Sequence, residues 1–301
     1  MSPIRNNTDG RLATGEPACN SRPHTSSIGA PRDEPRLPAT HNETTSGKDV
    51  ASIAGLRRMV ARLETGWLGT PSTYLPLGLP DIHRHLSGPG LPCGALHEVI
   101  AAAHGDTPAS FGFVLALMAC ASQARRGPAL LVVSRQGADF GTPYGHGLRQ
   151  LGLDVGRLIL VETRSGKDAL WAVEEILRSD TGAAVVAGVV ESSLDLTMSR
   201  RLNLAASTAG APLVLLRPPA ATGTSAATTR WRVAAAPAGR DRFNAFASWR
   251  WQVALERCRN GRAGRWQLEW DHVAHRFRLA EIVADHAPAA CASPQGIRRA
   301  G

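Results

Sequence analysis

The chain has almost no lysine: of its 34 lysine and arginine residues only Lys48 and Lys167 are lysines, and arginine carries the rest of the positive charge. The net charge of +9 therefore sits on guanidinium groups, which favour phosphate and protein-interface contacts. A GC-rich coding sequence raises arginine, alanine and glycine together, so charge alone supports a nucleic-acid partner only weakly. No apolar run approaches the roughly 18 uninterrupted residues that span a bilayer, and Met1 to Asn20 lacks the apolar stretch of a secretory signal. Both absences point to a cytoplasmic chain with no membrane partner. Five cysteines, Cys19, Cys93, Cys120, Cys258 and Cys291, occur without a C-x-x-C pair. That excludes the usual zinc ribbon or disulfide framework and leaves mostly structural thiols.

What is present divides the 301 residues into one domain with tails. Residues 1–50 combine Pro17, Pro23, Pro31, Pro35 and Pro38 with Ser, Thr, Asn and Gly, too little apolar surface to offset ordering entropy, so a disordered leader is expected. Residues 51–66 place Ile53, Leu56, Val60 and Leu63 on one helical face, with Arg57, Arg58 and Arg62 mainly opposite. Such a helix docks on its own domain or binds another protein. From Leu75 to Gly94 turn formers dominate, and a loop leads into the core.

Over 75–218, apolar runs of strand length alternate with segments of helical period. Strands are expected near Ala95 to Ala101, Ala129 to Ser134, Leu158 to Thr163, Ala183 to Val190 and Pro212 to Arg217. Helices are expected near Ser110 to Ala124, Tyr144 to Leu151, Lys167 to Arg178 and Leu194 to Thr208. The fold class is α/β, a mostly parallel sheet flanked by helices. Beyond Pro218 and Pro219 the pattern changes to period-two alternation, predicting antiparallel hairpins over 229–282 and a fraying tail over 286–301.

In such a sheet the informative loop is at the carboxyl end of the first core strand. Here it reads Ala101-Ala102-Ala103-His104-Gly105-Asp106-Thr107. A working phosphate loop, G-x-x-x-x-G-K-[ST], cradles phosphates in backbone amides, neutralises them with lysine and holds magnesium through the hydroxyl. Asp106 stands where the lysine belongs and repels a triphosphate at close range, so ATP binding is disfavoured and no cofactor is expected. His104 is either a partial substitute for the lysine or a plain loop histidine. The strand toward Val190 carries Ala187-Gly188 where a magnesium-binding acid is needed, with Glu191 arriving later, and no carboxylate follows Ser134 until Asp139.

The surrounding text resembles RecA. Gly90-Leu91-Pro92-Cys93-Gly94-Ala95-Leu96-His97-Glu98-Val99 is similar to the G-L-P-x-G-x-x-x-E-[IV] lead-in to the RecA phosphate loop. The stretch Leu196 to Ala206, followed by Ala211 to Leu216, resembles the helix and strand that come next in RecA. Together with Leu255-Glu256-Arg257-Cys258-Arg259-Asn260-Gly261-Arg262 and Glu269-Trp270-Asp271-His272, the chain resembles the ImuA family over about residues 53 to 282. The resemblance implies a RecA-like fold and a non-catalytic adaptor in SOS-induced translesion synthesis. It further implies an ImuB-like Y-family homologue and a second DnaE-type polymerase as partners, with RecA and DNA as further candidates. Alternatives are a DNA-dependent ATPase with a divergent loop and a SulA-like cell-division inhibitor, against which the long C-terminal ribbon argues.

Residues 230 to 278 hold eleven arginines, four acids and five of the seven tryptophans. A basic, aromatic ribbon suits DNA or protein, and Arg257, Arg259, Arg262, Arg265, Trp249 and Trp251 are the candidate contacts. The competing structural reading is that alternation buries the tryptophans and solvates the arginines. In RecA-type assemblies a basic residue near this hairpin reaches a neighbour's nucleotide, which the resemblance transfers to Arg257 and Arg259. His272, His275, Asp271 and Cys258 lack the second ligand pair of a zinc site. Ser165, Gly166, Lys167 and Asp168 suit an anion, but helix capping by Ser165 accounts for them equally well.

Overall fold

The computed structural model describes residues 73–135, 141–179, 181–240, 242–243 and 245–280. The leader, the helix over 51–66, Asp139 and the tail over 286–301 lie outside the described residues.

Apolar runs bounded by turn formers become strands β3 (Leu96–Ala101), β4 (Ala129–Ser134), β5 (Leu158–Thr163), β6 (Val185–Val189) and β7 (Leu213–Arg217). Before them, the Gly/Pro-rich stretch is not wholly loop: β1 (Tyr74–Leu75) pairs with β2 (Leu91–Pro92) around α1 (Pro80–His83). The intervening helices are α2 (Thr107–Ala124), α3 (Gly145–Gln150), α4 (Gly166–Arg178) and α5 (Leu196–Ala209). Ser165 caps α4 through the Asp168 amide, and Asp195 caps α5 through the Met198 amide at 2.6 Å. Four strands follow: β8 (Thr229–Arg240), β9 (Phe246–Cys258), β10 (Gly264–Asp271) and β11 (Arg276–Leu279).

The nine strands β3 to β11 form one sheet in the order β5-β4-β6-β7-β3-β8-β9-β10-β11. Strands β3 to β8 are mutually parallel, and β9 to β11 add antiparallel hairpins. This is a RecA-like α/β arrangement. The region beyond Pro218 departs in one respect from an all-antiparallel ribbon, because β8 pairs in parallel with β3 on one side and antiparallel with β9 on the other. Core and ribbon thus share a sheet.

One face of the sheet packs α2 with the β1–α1 segment, and the other packs α4 and α5. With its preceding turn, α2 is the one described helix long and apolar enough to cross a membrane, and 61% of its most apolar window is buried inside the protein. Its apolarity on all sides follows from that burial. Trp231, Trp251, Trp270 and Phe277 close over α2 from β8 to β11, with Trp251 and Phe277 both packed edge-on or tilted against Phe113. Trp231, Trp251 and Trp270 bury, Trp249 and Trp266 are half-buried, and most arginines stay outside, which follows the alternation reading of the ribbon.

Candidate functional site

The loop after β3 forms one turn of 3-10 helix, His104–Asp106, that runs straight into α2. Asp106 closes it. One carboxylate oxygen accepts from the Ala103 amide at 3.1 Å, the other from the Ala235 amide on β8 at 2.9 Å, and the Asp106 amide donates back to the Ala103 carbonyl at 3.0 Å. The amides of Ala103, Asp106 and Ala235 are therefore satisfied from within the chain. The Thr107 hydroxyl donates to the His104 carbonyl at 2.8 Å. Gly105 faces open space and has no left-handed backbone that would require glycine.

At the carboxyl edge of the parallel strands, His104, Thr107, Glu191, Arg217 and Pro218 line a cleft of about 30 Å³. That is room for about one water, against the roughly 300 Å³ at which small-ligand pockets begin. The β6 strand ends in buried Val189 and Val190 with Gly188 wedged against Leu215 and Val173, and Glu191 lies exposed beyond. Ser134 ends β4 fully buried.

Beneath the cleft lies an ion cluster. Glu98, fully buried on β3, accepts from Arg217 at 3.1 Å, from the Ser225 hydroxyl at 3.0 Å and from Arg230 at 2.9 Å. Parallel pairing sets Arg230 directly opposite Glu98, while Arg217 stands opposite Ile100 on the other side. Burial lowers the pKa of the Arg217 guanidinium, and the Glu98 carboxylate pulls it back up. The glutamate belongs to the RecA-like lead-in, but its arginine partners were visible in sequence only as charges at the ends of apolar runs.

The proposed contact residues scatter. Trp251 is buried and donates its indole N–H to the Ala109 carbonyl at 2.8 Å, so as a surface contact it is corrected. Arg257 and Arg259 grip the connection before β8, donating to the carbonyls of Ser225 and Ala226 at 2.8 and 3.5 Å. Trp249 is half-buried edge-on to His272, whose pKa burial lowers. Arg262 and Arg265 are exposed. Arg265 borders a hollow of about 630 Å³ on the outer ribbon face, floored by Ala102, Ala234 and Ala254. Across that face Arg232–Glu256, Arg250–Glu269 and Arg278–Asp271 form cross-strand ion pairs, which reduce the charge left for phosphate. No three potential metal ligands come together among the described residues.

Fold and loop together define a RecA-like protein whose phosphate-loop position is closed by its own aspartate. No family model matches the chain. Proteins named "Protein ImuA" from two strains of Caulobacter vibrioides are each 38% identical to it over 237 residues, covering 73% of this chain and 94% of the relative. The chain belongs to the ImuA family, which ties it at family level to the mutagenesis and translesion system.

Proposed function

We propose that this chain is a non-catalytic RecA-like adaptor in SOS-induced, error-prone translesion synthesis, bridging an ImuB-like Y-family homologue and a second DnaE-type polymerase, with DNA or RecA as further contacts. The observation that carries the reading is the double engagement of Asp106 with the Ala103 and Ala235 amides. A nucleotide would have to displace that carboxylate, accept its charge and widen a cleft of about 30 Å³. Each requirement works against Mg-ATP. A DNA-dependent ATPase would need the Thr107 hydroxyl for magnesium, and here it is directed to the His104 carbonyl.

Asp106→Lys restores the phosphate-loop lysine but supplies neither the magnesium acid nor the room. Phosphate release by this variant is expected to stay at background with and without single-stranded DNA, and appreciable turnover by it or by the unaltered chain would reject the adaptor reading. In cells, deletion is expected to lower damage-induced mutagenesis without changing spontaneous mutagenesis.

A further inference from the structure

Aromatic and basic side chains alternate along a strip at the β8–β9 turn end of the ribbon. Phe246, 56% exposed at the start of β9, lies 6.1 Å from Trp249, and Trp249 lies edge-on to His272 of the β10–β11 turn at 4.4 Å. That turn closes on the end of α3: the Gln150 backbone stands beside His272, and a Cβ at Gly152 would collide with the His275 ring. From there α3 continues the strip. Arg149 is hydrogen-bonded to His146 at 2.9 Å, and the His146 ring is edge-on at 5.8 Å to Tyr144, which is 73% exposed. At the opposite end Arg240 stands across the ladder from Phe246, and the Arg242 guanidinium lies 4.7 Å over the Phe243 ring.

The core does not need these rings to fill it. Trp249 leans on the core with part of its surface, whereas Tyr144, Phe243 and Phe246 leave more than half of theirs to water. Exposed apolar groups gathered in one place mark a surface that something else covers. Charge decides what that is. A protein-binding patch keeps charge out of its centre, but here Arg149 lies between the rings and Arg242 against one of them. No carboxylate among the described residues pairs with either arginine. Asp271, next to His272, is already held by the Val273 and Ala274 amides and by Arg278. Ring faces separated by guanidinium groups match unpaired nucleobases strung on phosphates, whereas a duplex hides the faces of its bases.

We propose that this strip, formed by Tyr144, His146, Arg149, Phe246, Trp249 and Arg242, is a binding site for single-stranded DNA, an inference that deepens the DNA contact of the adaptor reading and rests on it. The rings receive bases, and the guanidinium groups receive phosphates. Binding of this kind tolerates any sequence and weakens with salt. It lies apart from the outer ribbon face, where Arg232, Arg250 and Arg278 are taken up by cross-strand ion pairs.

The probe is a fluorescent oligothymidylate of about 12 nucleotides, within the span such sites cover, titrated by anisotropy against the full chain. It is expected to bind, and the matching duplex is expected to bind more weakly. The double variant Tyr144→Ala, Phe246→Ala is expected to bind the oligothymidylate at least about tenfold more weakly, with an unchanged thermal unfolding midpoint because both rings are already exposed. In Arg149→Gln, Arg242→Gln the slope of log affinity against log salt is expected to shrink by about 0.7 for each arginine removed. The charge-matched control Arg164→Gln, Arg200→Gln removes two exposed cations outside the strip and is expected to keep the affinity within about twofold of the unaltered chain. Absence of binding, equal binding of the duplex, equal binding by the ring variant, or equal weakening by the control each overturns the proposal. Co-purification with the ImuB-like protein separates the two levels. If the ring variant loses that protein and keeps the oligothymidylate, the strip is a protein surface and the proposal fails while the adaptor stands. If the unaltered chain retains no ImuB-like protein, the adaptor reading fails and the oligothymidylate alone decides the strip.

Discussion

His97 is fully buried on β3, and burial pushes its pKa down to about 4. Neutral imidazole carries one proton, and the Pro92 carbonyl at 2.9 Å accepts only, so that proton is on Nε2. Nδ1 then accepts from the Thr229 hydroxyl at 2.8 Å, whose oxygen accepts the Trp231 indole N–H at 2.8 Å. The folded value lies below the ordinary 6.5, so between 6.5 and about 4 the unfolded chain binds more protons. The contribution is complete above pH 6.5 and is lost as pH falls toward 4, by about 3 kcal/mol over the window. Urea unfolding at stepped pH should show that slope, and His97→Gln, which keeps a donor and an acceptor but cannot titrate, should flatten it. Glu98 beside it is a second residue-scale test: Glu98→Ala leaves the buried Arg217 guanidinium without its carboxylate and is expected to cost about 3 to 5 kcal/mol in denaturant titration.

At the scale of elements, α5 is set by local chemistry: Asp195 caps its start, and Gly210 takes a left-handed φ of 63° at its end. Asp195→Ala removes the bond to the Met198 amide and is expected to lower stability by about 1 kcal/mol, read as a lower thermal midpoint. The same locality made the helices and parallel strands legible in sequence. Expectations over Ala129 to Ser134 and Leu158 to Thr163 coincide with β4 and β5, because apolar runs there stop at glycine, proline or charged turns. The turn between β9 and β10 was legible for a similar reason: Asn260 adopts a left-handed φ of 61°, and a Cβ at Gly261 would collide with the His85 carbonyl. What period two did not reveal was that β8 has a parallel neighbour on one side, since alternation reports a buried face and not the direction of the next strand.

For the whole molecule, the ribbon is part of the core. Truncation at Pro218 removes β8 from beside β3 together with Trp231, Trp251, Trp270 and Phe277, all buried. Such a fragment is expected to be insoluble or to lack a cooperative unfolding transition, so loss of partner binding on deleting residues 230 to 282 would report loss of the fold rather than a binding surface. Point changes at exposed Arg262 and Arg265 are the cleaner test of ribbon contacts, with solubility and melting expected to stay unchanged.

By itself the sequence determined the succession of elements, the displaced lysine at Asp106 and the likeness to ImuA proteins, because each is written in neighbouring residues. Only the tertiary structure decided what Asp106 does, since its Ala235 partner is 129 positions away. It also decided that Glu98 would meet Arg217 and Arg230, from 119 and 132 positions away, and that Trp251 would bury while Ile159 and Leu160 would not. Hydrophobic pattern states that a strand wants cover. Which neighbours supply it is settled by sheet order, and sheet order depends on how distant strands find one another.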